Sequence, residues 1–467
     1  MTDLADLSAV DLAAGFASGE CSPVEALRAV RARIDAWEPW INALWFRDDE
    51  AADAHASAAE DRWRARGPLS PLDGVPVTLK ENIATSGVPT PLGSAASVLR
   101  PAARDAPAAA RLSEAGAVLV GKTTMPDFGM LSSGVSTLHG TTRSPWNLAW
   151  NPGGSSSGAA AATVAGYAPV NIGTDIGGSV RLPAGWTGVV GYKPSFGRVP
   201  VFPPYYARVA GPLTRTVADA AGVMAILSRP DDADFMSLPP QDLDWGDLDV
   251  DLAGARIALA LDAGAGMPVE DEVTCAVESA AAVLSEAGAQ VETIGPLITD
   301  TMLDGLDRFW RTRSLHDLRA LPDDSQERML PYLRAWMEAA SGLSGIELFE
   351  AFSQLEAISI AARDAIEGFD YILAPVAPVA AFPAELPSPG NDPDRTLEHI
   401  AFTVTFSISG HPAISVPWTT TADGRPIGIQ LVGRRFGDVS VLALAAACER
   451  LRPELPPWPA PPSAPPT

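Results

Sequence analysis

Three short segments carry residue types that can do chemistry. In NIGTDIGGSVRLPA, Asn171 to Ala184, two glycines directly precede Ser179 in a stretch that otherwise reads as a strand entering a tight turn. Glycine weakens a strand, and it is used where backbone must approach something closely or take angles a side chain forbids. Gly177 and Gly178 therefore either mark an ordinary bend or bare a row of backbone N–H groups beside a hydroxyl. GSSSG, Gly154 to Gly158, matches the nucleophile-elbow pattern GxSxG with Ser156 in the reactive place. GAVLVGKT, Gly116 to Thr123, matches the phosphate-cradling pattern GxxxxGK[ST].

Context argues against the last two readings. A phosphate loop needs exposed backbone N–H groups, whereas Ala-Val-Leu-Val between the glycines is strand material. An elbow needs a strand before the serine, and WNPGG is turn chemistry. An elbow also needs an imidazole base, and the five histidines (His55, His139, His316, His399 and His411) stand in no convincing motif. The Ser155–Ser157 run by itself reads as a helix cap or flexible turn, and Lys80 by itself as an ordinary surface lysine.

The elements that would position these residues alternate. SPVEALRAVRARIDAW opens with a capping box at Ser22, Pro23 and Glu25, followed by apolar positions at helical spacing. GVPVTLKENIA has the β-branched pattern of a strand that stops at Lys80–Glu81–Asn82. DAPAAARLSEAGAVLVGKTTM predicts a helix, a glycine stop at Gly116 and a short strand, Ala117 to Val120. ARIALALD and AQVETIG flank a helix from Glu270 to Ala287, a βαβ pattern. This alternation predicts an α/β fold, one large domain with a mixed, mostly parallel sheet between helical layers. Residues 1–452 form that domain, with a helical elaboration over about 297–365 and an acidic surface excursion near Ser228–Leu252. Residues 453–467, RPELPPWPAPPSAPPT after its first arginine, are expected to be a disordered or polyproline tail.

Bulk composition bounds the function. A formal net charge of −24 over 467 residues disfavours nucleic-acid or anionic-membrane partners, which repel an acidic surface. Cys21, Cys275 and Cys448 are sparse and match no metal-ligand spacing, so no metal and no disulfide framework is expected. The start lacks the basic end and apolar run of a signal peptide, and a cytoplasmic location is expected. A homodimer is left open.

Taken together, GVPVTLKENI around Lys80, NPGGSSSGAAAA around Ser155, and GTDIGGSVRLPAGWTGVVGYKPSFGRV around Ser179 resemble the amidase signature family. GKTTMPDFGM, GPLTRTVADAA, YILAPVAPV, SISGHPAISVPW and GRPIGIQLVGRRFGD add to the likeness, which covers residues 6 to 450. The resemblance implies a cofactor-independent hydrolase of carboxylic amides, with esters and carbamates as related substrates. It implies a triad in which Lys80 exchanges protons with Ser155, Ser155 relays to Ser179, and Ser179 attacks the carbonyl. It also implies a cis peptide bond between Ser155 and Ser156. Such a lysine must be neutral to act as a base, which needs burial or nearby positive potential.

On this reading the N–H groups of Ile176, Gly177, Gly178 and Ser179 face a developing oxyanion. Asp175 and Arg181 orient the loop, Ser156 supports it, and Thr174 is either a substrate contact or a turn hydroxyl. Met125 and Phe128 are expected in the pocket. Trp310, Tyr332, Trp336 and Phe349 are candidates for an acyl or amine pocket, against plain core packing. Within the family, a glutaminase subunit of a tRNA-dependent amidotransferase and a catalytically silent binding protein are the competing functions. The present TTMPDF and GSSSGA segments favour a stand-alone hydrolase.

Overall fold

The computed structural model of the chain describes residues 3–463. Its strands run β1 Leu44–Phe46, β2 Pro76–Lys80, β3 Val118–Thr123, β4 Val135–Ser136, β5 Gly140–Thr141, β6 Val170–Asp175 and β7 Val190–Lys193. They continue with β8 Val209–Thr214, β9 Arg256–Leu259, β10 Gln290–Thr293, β11 Tyr371–Pro375, β12 Ala413–Thr420 and β13 Pro426–Gly433. Eleven of them form one sheet in the order β1-β3-β2-β6-β8-β7-β12-β13-β11-β9-β10, and β4 pairs with β5 apart from it. The sheet is mixed, as expected. Parallel pairing is confined to two places, β2 with β3 and β6, and β9 with β10 and β11; the other neighbours are antiparallel. The antiparallel share exceeds the expected one because β12 and β13 are joined by a short turn and β7 and β8 fold back between them and β6.

Successive residues on a strand point to opposite faces, and the central strands obey this. Ile257, Leu373 and Leu431 join one core cluster, while their neighbours Ala258, Ile372 and Val432 join another. Helices Ala9–Ser18, Val217–Leu227, Asp271–Glu286 and Asp438–Leu451 supply the first layer. Helices Asp300–Arg319, Pro331–Glu338, Gly345–Ile366 and Ala401–Ile408 supply the second. Buried residues on both faces explain why these strands read as nearly continuous apolar runs.

Local expectations hold at several boundaries. Ser22 and Glu25 form the capping box of helix Pro23–Ile41, and the 107–114 helix is followed by Gly116 at φ 81°. Strand β3 extends past Val120 to Thr123, so Gly121, Lys122 and Thr123 are strand residues. Lys122 Nζ donates to Ile83 O and, at 2.9 Å, to Thr85 Oγ1. The phosphate-loop reading is thereby removed: those N–H groups belong to a sheet. The Pro-rich end carries no helix or strand over 453–463 and touches the domain. Trp458 packs on Trp146 with ring centroids 5.9 Å apart, and the Arg215 guanidinium lies 4.6 Å from the Trp458 ring. A flat apolar ring docked on another ring and a cation holds this part of the segment against the domain. The last four positions of the expected tail, 464–467, lie outside the described residues.

Candidate active site

Strand β2 ends at Lys80 with every residue buried, and it lies between β3 and β6 in the sheet. Its parallel neighbour β6 ends at Asp175. The chain leaves both strands at the same edge, so Lys80, Thr174 and the loop Ile176–Ser179 converge there. Helix Ser157–Ala165 begins at the same place and brings Ser155 and Ser156. Ser156 occupies the N-cap position yet makes no side-chain capping bond. Its hydroxyl is directed at the cluster instead.

Lys80 Nζ lies 2.8 Å from Ser155 Oγ, 3.1 Å from Ser156 Oγ and 3.2 Å from Thr174 Oγ1. Two of these oxygens already accept other N–H groups: Ser156 Oγ from Thr174 N at 3.3 Å, and Thr174 Oγ1 from Asn82 Nδ2 at 3.0 Å. The Ser156 hydroxyl donates its own hydrogen bond to the Thr174 carbonyl, 3.3 Å away. A neutral amine has two N–H donors and one lone pair. Donation to Ser156 and Thr174 leaves the lone pair for the Ser155 hydroxyl, the nearest of the three. Burial drives the Lys80 amine down to about 7, the Arg208 charge adds to that fall, and Glu81 and Asp175 oppose it. The site therefore holds an amine that is substantially uncharged near neutral pH.

The peptide bond between Gly154 and Ser155 is cis. This corrects the expected position, one bond later. The Ser155–Ser156 bond is trans, with the Ser156 N–H donating to Ser179 O at 3.2 Å.

Asp175 organises the glycine loop. Its Oδ1 accepts from Gly178 N at 2.8 Å and its Oδ2 from Val180 N at 3.1 Å. Arg181 clamps both carboxylate oxygens, at 3.0 and 2.9 Å, and its remaining N–H groups go to Thr403 O, Gln430 Oε1 and Ser407 Oγ. Burial opposes ionisation of Asp175, but the charge and hydrogen bonds of Arg181, the Lys193 charge and the Val180 N–H together outweigh it and hold the carboxyl at about 2. One expectation is corrected here. The Gly178 N–H is committed to Asp175, so it does not face the cavity as an oxyanion donor. The N–H groups of Ile176, Gly177 and Ser179 have no acceptor among the described residues. Gly178 is required for another reason: its φ is 129°, and a Cβ there would stand 2.4 Å from Thr403 Oγ1.

A cavity of about 740 Å³ opens onto this edge and is lined by Ser155, Thr174, Asp175, Ile176 and half-buried Ser179. Ala84, Leu92, Met125, Phe128, Met130, Phe202 and Pro203 give it apolar walls. Met125 and Phe128, named from the sequence, are among them. Trp310, Tyr332, Trp336 and Phe349 are not. Trp310 is buried core that packs across Gly177, Trp336 is wholly buried with its N–H on Asp307 Oδ1, Tyr332 bonds Ser388 and the Asp392 carbonyl, and Phe349 is exposed. Aromatics at helical spacing here fill a helix interface. Phe128 and Leu92 carry left-handed backbone at φ 52° and 54°, and Phe128 N donates to Leu92 O at 2.6 Å. Non-glycine residues rarely adopt that conformation, and such residues gather where backbone is shaped for a ligand.

Sequence reasoning missed Asn82 and the arginines of the cavity wall. Asn82 stands two positions beyond Lys80, the spacing that returns to the same side of an extended chain, and that signal was readable. Arg208 sits just before β8, whose antiparallel register sets Val209 opposite Asp175. No motif marks it.

A buried lysine–serine cluster beside a half-buried serine and free backbone N–H groups, on an α/β scaffold, is the constellation of an acyl-transfer site without histidine. The described histidines are elsewhere: His139 pairs with Glu81 at 2.9 Å, and none bonds Ser156. The family model named Amidase matches residues 25–442, and the chain belongs to that family, the amidase signature enzymes. An acylamidase of Rhodococcus erythropolis is 33% identical, over 96% of each chain. A glutamyl-tRNA(Gln) amidotransferase subunit of Roseiflexus sp. (strain RS-1) is 36% identical, over 97% of each. The crystal structure of a bacterial aryl acylamidase of the amidase signature family superposes with a TM-score of 0.88 at 30% identity, over 95% of this chain and 96% of that one. The protein is an amidase-family enzyme acting on amides.

Proposed function

We infer that the enzyme hydrolyses carboxylic amides with apolar aryl or alkyl portions through an acyl-enzyme on Ser179. The observation that carries this reading is the 2.8 Å approach of Lys80 Nζ to Ser155 Oγ within a cavity that Ser179 also lines. Neutral Lys80 takes the Ser155 proton as Ser155 takes that of Ser179, and Ser179 Oγ bonds the substrate carbonyl carbon. The oxyanion is received by the N–H groups of Ile176, Gly177 and Ser179, each such donor being worth about 3–4 kcal/mol in comparable sites. Ser155 then delivers a proton to the departing nitrogen while Lys80 re-supplies it, and the C–N bond breaks. Water repeats the sequence on the acyl ester and releases the acid. Esters and carbamates present the same carbonyl chemistry.

A chromogenic anilide and a fluorophosphonate probe test this. Wild-type protein turns over the anilide and is labelled; Ser179→Ala loses both. Labelling that persists in Ser179→Ala, or moves to Ser156, overturns the assignment.

A second reading, the glutaminase component of an amidotransferase, draws on the relatives that bear the glutamyl-tRNA(Gln) amidotransferase name. The apolar residues of the cavity wall favour an amide with an aryl or alkyl portion, which glutamine lacks. Turnover of glutamine above hydrophobic anilides by the isolated chain would reverse that order.

A further inference from the structure

Three arginines, Arg104, Arg208 and Arg313, line the cavity of a chain whose formal net charge is −24. One of them is exposed to solvent and another is paired. Arg104 is exposed and lies 3.8 Å from the Phe202 ring centroid. Arg313 Nε is 3.7 Å from the Asp317 carboxylate, and another of its nitrogens is 3.6 Å from Met130 Sδ. Arg208 differs. Among the described residues it has no carboxylate within salt-bridge distance, and its guanidinium donates no hydrogen bond; it lies 4.9 Å from the Tyr205 ring, which Arg313 approaches at 4.6 Å.

A guanidinium has five N–H donors, and withdrawing them from water uncompensated is costly. Burial and the Arg313 charge both press on the charged form of Arg208, lowering it to about 10. Asp317 offsets this only in part, from beyond ion-pair distance and already facing Arg313, and Asp175 is held by Arg181. The backbone contributes as well: Ala207, directly before Arg208, is buried and left-handed at φ 63°. An alanine held in that conformation indicates a segment fixed in order to aim its neighbour. A planar, unpaired cation facing a cavity matches a carboxylate bidentately.

We propose that Arg208, with Arg313 across the Tyr205 ring, forms an anion subsite, so that the amides best used by this enzyme carry a carboxylate close to the scissile bond. The proposal rests on the hydrolase reading above and narrows its substrate class. The carboxylate can belong to the acyl part, as in the half-amide of a dicarboxylic acid, or to the leaving amine, as in an acylated amino acid. The recognising chemistry is the same.

Two matched pairs of anilides distinguish these sources, with release of the arylamine as the readout. The acyl-side pair is the mono-anilide of succinic acid and the neutral anilide of 4-oxopentanoic acid. The amine-side pair is 4-acetamidobenzoate and 4-acetamidoacetophenone. Intrinsic reactivity cancels when the charged-to-neutral ratio of kcat/KM is compared between proteins. In Arg208→Gln that ratio falls at least tenfold for one pair, Arg208→Lys retains part of it, and added salt lowers it in the wild type. The pair that responds identifies the side.

Ratios within twofold of wild type for both pairs, in folded Arg208→Gln that still cleaves the neutral anilides, overturn the subsite and leave the hydrolase reading intact. If wild-type protein cleaves no anilide, the hydrolase reading is the one that fails. Calorimetric binding of 4-aminobenzoate then decides the subsite: a Kd raised at least tenfold by Arg208→Gln supports it, and an unchanged Kd rejects it.

Discussion

The Asp175 carboxylate takes the amide proton of Gly178 at 2.8 Å while Arg181 grips both of its oxygens. This bond fixes the loop from below and decides which N–H groups remain turned to the cavity. Removing one partner strands the other as a buried, uncompensated charge, a change that costs about 3–5 kcal/mol. Arg181→Met is therefore expected to lower stability by about that amount and to reduce kcat, measured by urea unfolding and steady-state kinetics. The same pair sets an acid limit. The Asp175 carboxyl is near 2 in the folded protein, below its unfolded value, so its contribution is complete above about pH 4 and is lost as pH falls toward 2. Unfolding titrations of wild type and Asp175→Asn should converge on the acid side.

Lys80 predicts a pH profile with a definite sign. Its amine is lowered to about 7, and only the unprotonated form accepts a proton. The logarithm of kcat/KM should rise with unit slope below pH 7 and flatten above it. Because the Arg208 charge helps to lower Lys80, Arg208→Gln should move this limb to higher pH. A limb unmoved by that substitution would separate the two groups electrostatically.

Replacing Lys80 also affects stability. Between about 7 and 10.5 the unfolded chain binds a proton at this lysine that the folded chain does not, so stability rises with pH across that window. Lys80→Met should abolish acylation and reduce this dependence, leaving the share that Lys193, lowered to about 7, and Lys122, lowered to about 8, contribute in the same direction. Melting temperatures across the window, together with burst-phase kinetics, check both effects.

The two loop glycines should respond differently to a methyl group. At Gly178 it meets Thr403 Oγ1 at 2.4 Å and Leu182 Cδ1 at 2.7 Å in a backbone conformation unsuited to alanine, so Gly178→Ala should damage fold and activity together. At Gly177 it meets the outer ring of Trp310 at 3.0 Å. Overpacking of that kind costs about 1–3 kcal/mol. Trp310→Phe removes those ring atoms and should restore part of the kcat lost by Gly177→Ala. A double variant no better than the single one would show that the ring is not the obstacle.

The Pro-rich end offers a milder test. Truncation after Arg452 removes the Trp146–Trp458 contact and the Arg215 cation–π contact. Each is worth about 0.5–1.5 kcal/mol, so the melting temperature should drop by a few degrees with kcat/KM unchanged.

Much of the scaffold was legible because local rules and burial agree in it. The strand ending at Lys80, the capping box at Ser22 and the βαβ unit around helix Asp271–Glu286 each follow from short-range pattern. The grouping of Lys80, Ser155 and Ser179 was legible only through likeness to a family, since no spacing rule connects the end of β2 with two later loops. The aromatics of the helical layer were ambiguous, because helical periodicity shows that a side chain faces inward but not whether it meets another helix or an open cavity. Arg208 was invisible for a related reason: its proximity to Asp175 and Lys80 arises from strand pairing across the sheet, which short-range pattern does not encode. The docking of Trp458 was not legible because composition describes a chain's tendency to stay extended, and an extended segment can still dock a tryptophan.

Strand β2 is flanked on both sides by other strands and has no exposed residue, whereas the cavity wall comes from turns and a helix face outside the sheet. Lys80, the proposed base, is thus locked into the part of the molecule least able to vary. The wall can drift one residue at a time, so changes in what the enzyme accepts should accumulate among residues such as Leu92, Phe128 and Arg208 long before the reaction itself changes.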